Sequence, residues 1–225
     1  MIDRRSALLV IISSLAAAGV GCGQPEKVVV DKYFGAVNQE DNQTLTSFSA
    51  VVFEKKVDSW TIKSASPEER TPAPLPELLN KVKEIQAAID LNKREYMAYF
   101  NTHPKEVDQV QELLKKPDAK IPGGLQKTAE DWRVFLDKKK ELDRSLSQAK
   151  AEVEREKRNV MLSVGQVDNV ESLAGEMVNK HIDLALTIDG QPQDYVMTLR
   201  KYDLEGDGGP RVVSRWVVQN LTPKG

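Results

Sequence analysis

The chain has 225 residues, 40% of them hydrophobic, with 32 basic and 34 acidic side chains and a formal net charge of −2. That balance lacks the concentrated basic field that nucleic acid requires, and the apolar content argues against a compositionally disordered chain. A single cysteine, Cys22, excludes an intramolecular disulfide, and two histidines as distant as His103 and His181 speak against a zinc site.

Residues 1–21 read as an export signal. The charged start MIDRR is followed by an apolar run, Ala7 to Ile12, and by small residues up to Gly21. The run is shorter than the roughly 20 residues that a spanning helix needs. Its closing segment, LAAAGVGC, resembles the lipobox of bacterial lipoproteins, with Val20 and Gly21 ahead of Cys22 and with Gly19 where that family usually has leucine. The resemblance implies that Cys22 is lipidated and tethers the mature chain to a bacterial membrane. Gly23 follows it in place of the aspartate that retains enteric lipoproteins at the inner membrane, so the same resemblance implies the periplasmic face of the outer membrane or the cell surface. The alternative is cleavage at Ala16-x-Ala18, which would release a secreted or periplasmic soluble protein. Residues 22–25 then form a linker of about 10 Å that keeps the folded body close to its membrane.

From Glu26 to Val37, Val29, Val30, Tyr33, Phe34 and Val37 fall at helical spacing. A short second helix is expected around Leu45 to Ala50, capped by Asn42 or Thr44, and a strand over Val51 to Lys63. The stretch 64–76, with four prolines, reads as an extended linker.

Beyond it the period changes. Leu78, Val82, Ile85, Ile89, Asn92, Tyr96 and Tyr99 alternate by four and three, a heptad seam with Asn92 as a polar interruption. Pro104 kinks or restarts this helix, and Val107, Val110, Leu113 and Leu114 continue the stripe to Lys116. Lys116 to Gly124 is turn chemistry, and Trp132, Phe135, Lys139, Leu142, Leu146, Ala149 and Val153 mark a second stripe. Residues 77–158 are therefore expected to form an antiparallel coiled-coil hairpin, each arm reaching roughly 50 Å. Lys116, Asp118, Lys120 and Ile121 at its turn are the candidate surface for a protein partner or for self-association.

In the last third, Asn159 to Val167 reads as a strand, and Ile182, Leu184, Leu186 and Ile188 alternate with polar or small residues. Asp189-Gly190 signals a hairpin into Tyr195 to Tyr202, and EGDGGP turns into a strand over Val212 to Leu221. The expected fold class is α+β: N-terminal helices packed on an antiparallel β-meander, built from residues 26–63 and 159–225, with the hairpin inserted. This order, with the DKYFGAVNQED helix and the closing Trp216 strand, resembles the NTF2-like or cystatin-like fold of small bacterial lipoproteins. The resemblance implies a conical pocket between sheet and helices, able to hold a small apolar ligand.

Candidate chemistry is sparse. His181 and Asp183 share one face of a strand and are the best acid-base pair, with a wet polar face as the plainer reading. Asp203, Glu205 and Asp207 imitate the opening of a calcium loop, but Ser214 stands where a bidentate glutamate belongs, so a hairpin turn fits better. Tyr33, Phe34, Phe48, Phe53, Trp60 and Trp216 can line a pocket or simply build a core. No catalytic residue, metal or cofactor is assigned. The expected function is that of a non-enzymatic cell-envelope lipoprotein that acts through the hairpin, tethered to the membrane by its lipid.

Overall fold

A computed structural model describes residues 25–116, 119–206, 209 and 211–224. Cys22 and the signal segment lie outside the described residues. Among the described residues the architecture is α+β, with five α-helices and one antiparallel sheet.

Helix α1 (Pro25–Asn38) begins with proline, whose missing N–H costs nothing in a first turn, and buries Val30, Tyr33, Phe34 and Val37 along one face. After a turn through Glu40, which takes a left-handed conformation, α2 (Asn42–Phe48) starts at Asp41. The Asp41 carboxylate accepts from the Thr44 N–H at 3.0 Å, so the cap is Asp41 and not the expected Asn42 or Thr44.

Only the end of the expected Val51–Lys63 strand is extended and paired. Residues 51–58 are irregular, and β1 (Ser59–Ala65) pairs antiparallel with the far half of β3 (Ala174–Ile188). The segment read as a linker is instead ordered: β2 (Glu69–Pro72) pairs with the near half of β3, so β1 and β2 act as one interrupted edge. Ser66 stitches the interruption, its N–H donating to His181 O at 2.8 Å and its hydroxyl accepting from His181 N–H at 3.0 Å.

The strand β4 (Gln191–Glu205) pairs with β3 over its whole length through the two-residue turn Asp189-Gly190, both with positive φ, as the dipeptide signals. The last strand, β5 (Val217–Pro223), starts later than the sequence suggests, after an irregular connection.

The two faces of the β3–β4 ribbon are covered at different ends. Ile182, Leu184, Leu186, Ile188, Met197 and Leu199 form the main core with α1 and α2. Farther along, burial on β4 shifts phase to Tyr202 and Leu204, which by strand alternation face the opposite side. There they meet Val160 near the end of α5 (Gln126–Val164). The expected strand over Asn159 to Val167 is thus a correction: through Val164 the chain is still helix, because Val153, Val160 and Ser163 continue one buried face.

Helix α3 (Leu75–Thr102) runs antiparallel to α5, with Lys81 paired to Glu152 and Glu95 to Lys138. The stripe from Leu78 to Tyr99 is buried or half-buried throughout, as is that from Trp132 to Val153 except for Lys139. The connection between these arms departs from a single turn. At His103 and Pro104 the chain leaves α3, and α4 (Pro104–Leu114) folds back against the pair instead of prolonging it. Leu114 and Lys115 consequently border the same recess as Tyr96 and Leu136.

Candidate functional site

Three places concentrate unusual chemistry, and the first lies along the arms. Val107 and Val110 of α4 are fully buried with Ala129 and Trp132, and Tyr96, Tyr99 and Phe100 pack against them. Tyr96 lies 4.6 Å from the Trp132 ring. Nearer the sheet no third helix covers the pair among the described residues, and a recess of about 370 Å³ opens there. Ile89, Tyr96, Phe135, Leu136 and Leu142 line it, with Lys93 and Lys139 as its charged members among the described residues. Its floor holds Asn92, 5% exposed. Among the described residues the Asn92 Oδ1 is buried without a hydrogen-bond partner, and Nδ2 reaches only the Phe135 carbonyl, at 3.5 Å.

The turn expected to be the working tip is placed differently. Lys116 and Lys120 are exposed, Asp118 lies outside the described residues, and Ile121 is half-buried against the Val107 and Trp132 cluster. Because α4 folds back, the end of the arms farthest from the sheet is built by the His103 corner and the start of α5. His103 stacks on Tyr99 with ring centres 4.6 Å apart, and its Nδ1 lies 2.8 Å from the Thr102 hydroxyl.

The second place is a groove of about 820 Å³ between α2, β5 and the end of α5. Arg155, Arg158 and Arg215 line it without a carboxylate among the lining residues. Arg215 Nε donates to Leu162 O at 3.0 Å and Nη2 to Ser47 O at 2.8 Å, tying the last turns of α5 and α2 together. Asn159 is buried in the wall, and Gln219 contributes a buried Oε1 without a partner.

Behind that wall sits the third, a buried polar cluster. The Tyr202 hydroxyl donates to Glu156 Oε1 at 2.7 Å, Asn159 Nδ2 lies 3.4 Å from Oε2, and the Ser163 hydroxyl accepts from Tyr202 N–H at 3.2 Å. Burial first, and then the charge of Glu156, pushes the Tyr202 phenol well above its ordinary range. Sequence reading missed this cluster. Its signal was available: Glu156 falls where the Ala149, Val153 and Val160 stripe calls for an apolar residue.

The acid-base pair is not assembled. His181 Nδ1 meets the Thr198 hydroxyl at 3.2 Å, whereas Asp183 accepts from Lys224 at 2.8 Å and Ser64 at 3.0 Å. Lys224 and then Ser64 hold the Asp183 carboxyl below its usual value. Asp203 is likewise engaged, by Arg70 at 2.9 Å and Arg211 at 2.7 Å. Burial there works to raise its pKa, and Arg70, Arg211 and Lys201 together more than offset it. Tyr33, Phe34 and Phe48 are buried in the main core, with Phe53, Trp60 and Trp216 partly buried against it. Among the described residues no helix is long and apolar enough to cross a membrane. No protein-family model, no curated protein and no solved structure matches the chain.

Proposed function

We propose that the chain is a membrane-tethered cell-envelope lipoprotein, non-enzymatic, that works as a protein-interaction module through its helical arms. The observation that carries this reading is the apolar surface the arms leave uncovered. Val134 is 64% exposed, and Leu91, Met97 and Leu136 are also open on helices whose polar faces are otherwise laced with ion pairs. A pair of helices built only to stabilise the sheet has no use for apolar residues pointing outward, far from it. The lipobox-like segment ending at Cys22 is the tether in this reading, and the few residues between Cys22 and Pro25, where α1 starts, support a body held close to the bilayer. On this reading the sheet with α1 and α2 follows an NTF2-like or cystatin-like plan, and the coiled-coil arms are an insertion into it.

The test is in-cell photo-crosslinking from Val134 and Met97, with Val213 on the body as the comparison site. Protein adducts confined to the arm positions support the proposal, and adducts only from Val213, or none, overturn it. Mass spectrometry of the mature N-terminus tests the tether: an acylated Cys22 supports it, and a chain starting at Gly19 replaces it with simple secretion.

A second reading rests on the arginine groove. Three guanidinium groups without a carboxylate suit a small anionic ligand better than the apolar one expected of a conical pocket. Loss of phosphate or carboxylate binding in Arg155→Ala and Arg158→Ala, measured by calorimetry, is its signature. An acid-base enzyme would need His181 and Asp183 as a dyad, and each is tied to a different neighbour.

A further inference from the structure

The recess beside Asn92 and the seat of α4 are parts of one groove. Tyr96 and Leu136 border both the recess that Leu114 and Lys115 close and the open recess nearer the sheet. Over its outer part the groove is filled by a helix of the chain itself, which buries Val107 and Val110. Over its inner part it is open, with Leu136 41% exposed and the Asn92 Oδ1 without a donor. A buried acceptor left unpaired has lost its water without a replacement, so the floor of the groove is polar and unsatisfied. The packing of α4 shows what shape the groove takes.

From this we infer that the inner groove is the docking seat of an acidic amphipathic helix of another protein, lying end to end with α4 over the Asn92 floor. The inference rests on the reading of the arms as an interaction surface. A helix is the occupant because two antiparallel helices present a trough that one helical apolar stripe fills, as α4 already does. Acidity follows from the rim. Lys93 and Lys139 flank the opening, and among the described residues no carboxylate lines it. Lys139 also reaches Asp143, whereas Lys93 has no ion-pair partner among the described residues. A second copy of this chain seated symmetrically would set these lysines against their own counterparts, which opposes self-association at this face.

The chain supplies its own probe. Residues 104–114, PKEVDQVQELL, carry three carboxylates and one lysine around an apolar stripe. A labelled synthetic peptide of this sequence, and a copy with Glu106, Asp108 and Glu112 changed to lysine, are titrated by fluorescence anisotropy into the full-length chain. The acidic peptide is expected to bind at least about tenfold more tightly than the reversed one, a difference of about 1.4 kcal/mol. Leu136→Asp should abolish binding while circular dichroism keeps its helical signal. Lys93→Glu with Lys139→Glu, both exposed, should invert the preference between peptides. Neither lysine lines the recess that Leu114 and Lys115 close, so an inversion separates docking in the inner groove from displacement of α4.

Equal affinity for both peptides, no binding, or indifference to both sets of substitutions overturns the inference. So does a Leu136-dependent dimer in sedimentation analysis, which would make a second copy the occupant. Crosslinks from Val134 and Met97 without peptide binding discard the helical partner and keep the arms as the working surface. Absent crosslinks with intact peptide binding do the reverse.

Discussion

Glu156 occupies a position on α5 where its neighbours one turn away on either side, Val153 and Val160, are buried and apolar, and it is itself only 6% exposed. A carboxylate there is tolerable because Tyr202 donates to it from the facing strand β4 at 2.7 Å. Tyr202→Phe removes that donor and leaves the carboxylate to Asn159 alone, so a loss of about 2 kcal/mol is expected in urea unfolding at neutral pH. Glu156→Gln keeps an acceptor for the phenol and should stay within about 1 kcal/mol of the parent. The alkaline limb follows from the same pair. An unfolded tyrosine ionises near pH 10, whereas the folded Tyr202 holds its proton to higher pH, as does Tyr33, pushed up to about 12 by burial. Their contribution is complete below about pH 10 and is lost as pH rises through the folded values. Tyr202→Phe should flatten part of that decline in midpoints measured above about pH 9, and an unchanged slope would sink the assignment. Gly175 makes a different demand. Its φ is +147°, and a Cβ would stand 2.2 Å from the Asp203 carbonyl oxygen, so Gly175→Ala should cost about 2 kcal/mol or more, read as a lowered unfolding midpoint.

Helices and strands differ in how much of their fate local pattern decides. The stripes from Leu78 to Tyr99 and from Trp132 to Val153 were legible because burial along a long helix repeats, and repetition averages out exceptions such as Lys139. The end of α5 was not. Asn159 to Val167 is rich in valine and leucine and satisfies a strand pattern, and only the phase carried over from Ala149, Val153 and Glu156 marks it as helix. Pro104 announced a break, but a proline says where a helix restarts and not which way it turns. That direction is decided by Val107 and Val110 burying against Ala129 and Trp132, residues distant in sequence. The fold-back moved Lys116, Lys120 and Ile121 from an expected tip to the flank of a three-helix end, and it created the half-filled groove that sequence could not display. Asn92 itself was legible as a polar residue in an apolar seam, though not as an acceptor without a donor. Replacing it settles what it does for the element: Asn92→Leu should raise thermal stability by the equivalent of about 1 kcal/mol, since it removes an unpaired buried oxygen and adds apolar contact. A fall in melting temperature would mean that the amide contributes to holding the arms together.

Apolar packing divides into three clusters: one between α1, α2 and the sheet, one where the end of α5 meets Tyr202 and Leu204, and one around Trp132 at the far end of the arms. The first two share the β3–β4 ribbon and lie on opposite faces of it, so loss of either frees strand residues that the other needs. The third shares no strand with them. It is joined to the rest only along α3 and α5, which at 1.5 Å per residue extend about 42 Å and about 58 Å. Such an arrangement predicts graded stability, in which the far end opens without the sheet. Trp132 is the largest side chain there and is nearly fully buried, and Trp132→Ala should cost roughly 3–5 kcal/mol of local packing. Native-state hydrogen exchange locates that cost. Faster exchange confined to α4 and the facing turns of α3 and α5, with β3 and β4 amides unchanged, is the expected result. Equal loss of protection across the sheet would mean that the arms and body fold as one cooperative unit. If they do open separately, the arms can yield to a docking partner without risking the sheet, and a helix seated beside Asn92 should slow exchange at the far end while leaving β3 and β4 as they were.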